Sequence, residues 1–89
     1  MKDPMRILLA EDERTISRLI NQVLTNAGHE VVAVQSVLDA LEQFKARQFD
    51  LVLLDLRLPG MSGFEACARV REVHGPYLPV IIMTAFGDP

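Results

Sequence analysis

Four side chains with reactive oxygens stand directly behind apolar runs in this chain. Glu11 and Asp12 follow Ile7–Ala10, Asp55 follows Leu51–Leu54, and Thr84 follows Val80–Met83. If the first and third runs are neighbouring strands of one parallel sheet, the three carboxylates meet on one small patch. Carboxylates about 4 Å apart repel by about 4 kcal/mol per pair at an effective dielectric near 20. Arg14 is the candidate for a neutralising cation within the chain. A hard divalent ion is the more natural remedy, because Mg²⁺ prefers carboxylate and carbonyl oxygens and keeps several waters. With such an ion in place, one carboxylate acts as nucleophile toward a phosphoryl group and a hydroxyl such as that of Thr84 hydrogen-bonds a phosphoryl oxygen. The plainer alternative is helix capping, since Asp12 or Glu13 suits the start of a following helix. Any one of these carboxylates alone reads as a cap. All three together with Thr84, each at the end of an apolar run, read as a site.

The elements that must position them alternate along the chain. Arg6–Ala10 is apolar after its first residue, as expected of a strand covered on both faces. From Thr15 to Ala27, apolar residues fall at Ile16, Leu19, Ile20, Val23, Leu24 and Ala27, the spacing of an amphipathic helix, and Gly28 follows as its C-terminal stop. Val31–Val34 predicts a second strand. Ser36, with Asp39 three residues on, predicts the N-cap of a helix that buries Val37, Ala40, Leu41 and Phe44. Leu51–Leu54 predicts a third strand, and Leu58–Gly63 a loop by its Pro and Gly content. A third helix from Gly63 to Val73 is expected to bury Ala66, Cys67, Val70 and Val73, with Gly75-Pro76 ending it before a fourth strand at Val80–Met83. The order βαβαβαβ implies an α/β fold: a parallel sheet with right-handed crossovers and helices on both faces. Ligands of such sheets bind beyond the carboxyl ends of the strands.

Composition narrows the class. Eighty-nine residues, 49% apolar and 24% charged, suit one small globular domain over residues 1–89, with residues 1–4 read as a cloning remnant ahead of a natural start at Met5. A net charge of −3 without a Lys/Arg run argues against nucleic acid or anionic lipid as a direct partner. The run Ile7–Ala10 is too short for a membrane span, so the expected location is the cytoplasm. Cys67, the single cysteine, reads as a small core thiol, and His29, His74, Phe64 and Tyr77 read as residues without special chemistry.

The stretches Ile7-Leu8-Leu9-Ala10-Glu11-Asp12-Glu13, Leu51-Val52-Leu53-Leu54-Asp55 with Leu58-Pro59-Gly60-Met61-Ser62-Gly63, and Val80-Ile81-Ile82-Met83-Thr84-Ala85 resemble the receiver domain of two-component response regulators. The resemblance implies a flavodoxin-like sheet of strand order 2-1-3-4, incomplete because the family's fifth strand and last helices are absent. It implies Asp55 as phosphoacceptor, and Mg²⁺ held by Asp12, Asp55 and the backbone carbonyl of Arg57, with Glu11 acting through a water. It implies that Thr84 and the backbone amide of Ala85 face the phosphoryl group, and that Pro59 and Gly63 shape the loop. The partners implied are a sensor histidine kinase and a downstream effector domain, and the activity is that of a switch rather than an enzyme. The family's phosphoryl-pairing lysine has no match here, since Lys2 and Lys45 are the only lysines. Phosphorylation is therefore expected to be impaired. The fourth strand is expected to be an exposed edge, with apolar patches on both faces of the sheet, through which the chain forms a homodimer or swaps elements. An interaction module without productive phosphorylation is the alternative. An aspartyl phosphohydrolase is disfavoured, because Arg57 stands where such enzymes carry a second Asp. A dinucleotide-binding domain is disfavoured by the lack of a Gly-rich loop after the first strand.

Overall fold

The structure, a computed structural model, describes residues 3–58 and 61–83. Its elements are β1 (Arg6–Ala10), α1 (Arg14–Asn26), β2 (Glu30–Val34), α2 (Val37–Ala46), β3 (Leu51–Asp55), α3 (Gly63–His74) and β4 (Val80–Met83). The strands form one parallel sheet in the order β2-β1-β3-β4, with Ala10 opposite both Val34 and Leu54. This is the order that the family resemblance implies. β1 and β3 are therefore neighbours, and the residues that follow them emerge side by side.

The chemistry of the ends explains the helix boundaries. Glu13 caps α1, its carboxylate accepting from the N–H groups of Thr15 and Ile16. Gly28, at φ +97°, closes the same helix: its own N–H reaches Thr25 O while that of His29 reaches Leu24 O, satisfying carbonyls that would otherwise be orphaned. Ser36 and Ser62 cap α2 and α3, each hydroxyl accepting from the N–H three residues on.

The core lies between the sheet and α2/α3. Leu8, Ala10, Val52 and Leu54 from the strands meet Val37, Ala40 and Phe44 of α2 and Ala66 and Val70 of α3, all buried. Phe44 and Phe49 pack edge to face at 5.4 Å, fixing the end of α2 against the approach to β3. Leu41 and Cys67 are only partly buried at the margin of this cluster. Val73, expected inside, is 51% exposed, because it stands in the last turn of α3, past the end of the packed stripe.

The other face differs from expectation. The apolar stripe of α1 is present, yet no residue of α1 is buried, and Leu19 and Val23 stay 62% and 58% exposed. Ile81, on the same side of the sheet, is 51% exposed. Apolar patches were expected on both faces; on the α2/α3 face Val80 and Ile82 of β4 are partly buried.

Two polar clamps hold the opposite rim. Arg6 donates through Nε to Glu30 and through a guanidinium nitrogen to Gln48 O, and its backbone N–H donates to Asp50. Arg71 donates to Leu78 O at 2.6 Å and to Pro76 O at 3.1 Å, tying α3 to the segment that enters β4.

Candidate phosphoryl and metal site

β1 and β3 end beside each other, and their parallel register delivers the acidic residues to one place. One carboxylate oxygen from each of Glu11, Asp12 and Asp55 lies within 4.8 Å of the others. Glu11 and Asp55 are only 3% and 7% exposed, while Asp12 faces solvent. Three full charges this close repel by about 3 kcal/mol per pair near a protein surface.

Local hydrogen bonds hold the constellation in shape. The Glu13 N–H donates to Glu11 Oε2 at 2.9 Å, and the Arg57 N–H donates to Asp55 Oδ1 at 3.0 Å. Glu11 N–H donates to Val34 O, and Leu56 N–H to Met83 O, so the backbone on both sides of the cluster remains tied into the sheet. Burial pushes the Glu11 carboxyl above the ordinary carboxylate range; the Glu13 N–H opposes this, and a shared hydrogen bond with Asp55 and the charges of Asp55 and Asp12 add to it. A proton or a cation is needed to relieve such a group.

The two readings of the acidic run therefore apply to different residues. Glu13 is the helix cap, whereas Glu11 and Asp12 converge with Asp55. The donor set, oxygen only and partly open to water, fits a hard divalent ion better than a thiolate- or imidazole-seeking metal. Gly63 begins α3 directly after its cap Ser62. Thr84, Ala85 and Pro59 lie outside the described residues. Arg14 is exposed and borders a recess with Arg18 on α1, so it is not buried beside the carboxylates. Three features were missed from sequence. The Arg57 N–H on Asp55 and the Arg71 clamp leave no pattern in composition or periodicity. His29, read as idle, accepts the Met5 N–H through Nδ1 at 3.1 Å.

A parallel α/β sheet with an acidic cluster at the ends of β1 and β3 defines the class, and sequence similarity names it. A family model described as the response regulator receiver domain matches residues 7–89, and the chain belongs to that family. It is 39% identical over 82 residues to the response regulator protein FleR of Pseudomonas aeruginosa, covering 92% of this chain and 17% of that protein. It is 40% identical over 83 residues to the transcriptional regulatory protein TcrA of Mycobacterium tuberculosis, covering 93% of this chain and 32% of TcrA. The chain thus spans no more than a third of the length of either relative. Among solved structures, the response regulator TrrA from Thermotoga maritima in complex with Mg²⁺–BeF superposes with a TM-score of 0.83 at 33% identity, over 92% of this chain and 70% of that one. No helix among the described residues is long and apolar enough to cross a membrane.

Proposed function

We propose that this chain is a phosphorylation switch in which Asp55 accepts a phosphoryl group from a sensor histidine kinase in a Mg²⁺-dependent reaction. The observation that carries the reading is the convergence of Glu11, Asp12 and Asp55 within 4.8 Å at the carboxyl rim of the sheet. Asp12, Asp55 and the Arg57 carbonyl would hold the ion, with Glu11 acting through a water, and the ion would supply positive charge opposite the phosphoryl oxygens. The chain's own part is to present a nucleophile. The Arg57 N–H donates to Oδ1 of Asp55 and orients the carboxylate whose oxygen would attack phosphorus. As that O–P bond forms, the bond from phosphorus to the donor's imidazole nitrogen breaks and the imidazole leaves. Thr84 and the Ala85 amide would hydrogen-bond the transferred group, and Pro59 and Gly63 would set the loop that carries Arg57.

Lys45 is the one lysine among the described residues, and it pairs with Glu42 on α2 at 3.4 Å. Among the described residues no lysine lies at the acidic cluster to share the phosphoryl charge, and we propose that phosphorylation of this 89-residue chain is slow. Its effector and its cytoplasmic location follow from the same reading.

Incubation with Mg²⁺ and a small phosphodonor, followed by intact-mass analysis, should reveal an acid-stable, base-labile adduct that Asp55→Asn abolishes. No adduct from a folded wild-type chain would reject phosphorylation. It would favour the second reading, an interaction module that self-associates through β4. That reading has its own support. Val52 N–H bonds Pro79 O and Leu56 N–H bonds Met83 O, so strand alternation turns the main-chain groups of Val80 and Ile82 away from β3, along an apolar edge.

A further inference from the structure

We infer that the outer edge of β2 is a docking groove for an extended peptide strand with acidic side chains on one face and basic side chains on the other. β2 is the terminal strand of the sheet. Glu30 N–H donates to Met5 O and Glu11 N–H to Val34 O, so Glu30, Val32 and Val34 turn their main-chain groups toward β1. The alternation of a parallel strand then directs the N–H and C=O of Val31 and Ala33 outward. Among the described residues those outward groups have no hydrogen-bond partner. An added strand pairs with groups of this kind.

The walls of the groove select what is added. Two recesses, of about 460 and 240 Å³, adjoin the edge, and Ala33 and Gln35 line both. The larger extends to Asp39 and Glu42 on α2, and the smaller to Arg14 and Arg18 on α1. The two helices lie on opposite faces of the sheet, and the side chains of an added strand alternate between those faces. A bound strand therefore meets a basic wall on one side and an acidic wall on the other. Glu42 also pairs with Lys45, but both side chains are about seven-tenths exposed and such a pair is weak. A second copy of the chain fits less well. A two-fold axis normal to the sheet would place α1 beside α1, setting the arginines of one copy near those of the other.

The test uses three fluorescent peptides of about eight residues, the length of an ordinary strand, that alternate Glu/Lys, Glu/Ser or Lys/Ser. Anisotropy with the whole chain should rank Glu/Lys first by about tenfold. Amide NMR shifts should concentrate at Val31–Gln35. Ala33→Pro removes an outward N–H while leaving the β1–β2 ladder intact, and should weaken binding by about tenfold. Arg14→Glu with Arg18→Glu, both on the surface, makes both walls acidic and should transfer the preference to Lys/Ser even if the proline variant fails to fold. Equal affinity for all three peptides, shifts centred on Val80–Met83, an unchanged ranking in the double variant, or β2-mediated dimers in place of a peptide complex would each overturn the inference.

Discussion

The two faces of the sheet show how differently the same patterning can end. On one face, α2 and α3 cover Leu8, Ala10, Val52 and Leu54, and bury their own Val37, Ala40, Phe44, Ala66 and Val70. On the other, α1 has a strong apolar stripe yet buries no residue, and Leu19, Val23 and Ile81 remain more than half exposed. Two helices side by side bury more of their own side chains than one does, although Ile7 and Leu9 beneath α1 are fully buried and Val80 and Ile82 on the other face only partly so. Periodicity reports which side of a helix is apolar. It does not report whether a neighbour exists to cover it.

The sharpest way to test that contrast is a matched pair of truncations. Leu8 is fully buried on the closed face, so Leu8→Ala should cost about 3 kcal/mol, the transfer term plus an unfilled cavity. Leu19→Ala on the open face should cost about 0.5 kcal/mol, because most of the side chain is already in water. Urea denaturation of both variants measures the difference. Equal costs would mean that the α1 face is covered in solution after all.

The acidic rim gives a smaller effect of opposite sign. In metal-free protein, Asp55→Asn removes one charge from a repelling triad and should raise stability by about 1 kcal/mol, less than the full pairwise repulsion because water reaches Asp12. Added Mg²⁺ should reverse the order, stabilising the wild-type chain and leaving the Asn variant nearly unchanged in a thermal melt. The pH dependence follows from Glu11. A folded carboxyl held above its unfolded value binds more protons in the native state, so its contribution is complete below the ordinary value of 4.5 and is lost as pH rises through the raised value. Metal-free stability should fall across that interval, Mg²⁺ should restore it at neutral pH, and apparent metal affinity should drop as the pH is lowered. A flat metal-free profile between pH 4 and pH 7 would reject this account of Glu11.

What the sequence revealed follows the same division. The alternation of strands and helices was readable because apolar runs and punctuating acids are local patterns, whereas the strand order that brings Glu11, Asp12 and Asp55 together came from the family resemblance. Ser36 and Gly28 were readable for the same reason, each being a terminus signal next to its helix. The distinction between Glu13 as cap and Asp12 as site member was not, since both residues suit both roles until the backbone fixes which carboxylate turns back on the helix. The Arg71 and Arg6 clamps and the His29 acceptor depend on long side chains reaching backbone groups outside any periodic frame. The exposure of α1 was hidden for the reason given above.

The smallest expected change in stability tests the open face most directly. Leu19→Glu together with Val23→Lys replaces two exposed apolar side chains with an i,i+4 pair in the favourable orientation, Glu toward the helix N-terminus. The pair contributes a few tenths of a kcal/mol and little packing is lost, so denaturation midpoints should move by less than about 0.5 kcal/mol. Association should change far more. Leu19 and Val23 lie one turn apart on α1 and, with Ile81 on the same side of the sheet, leave an apolar surface of the kind that drives contact between molecules. Sedimentation velocity over a range of concentrations should show the wild-type chain self-associating and the double variant doing so less. The β4 edge is untouched in both, so residual association of the variant measures what that edge contributes by itself. A wild-type chain that stays monomeric at high concentration would remove both the face and the edge as sites of self-association. A variant destabilised as severely as Leu8→Ala would show instead that α1 is packed as tightly as α2 and α3.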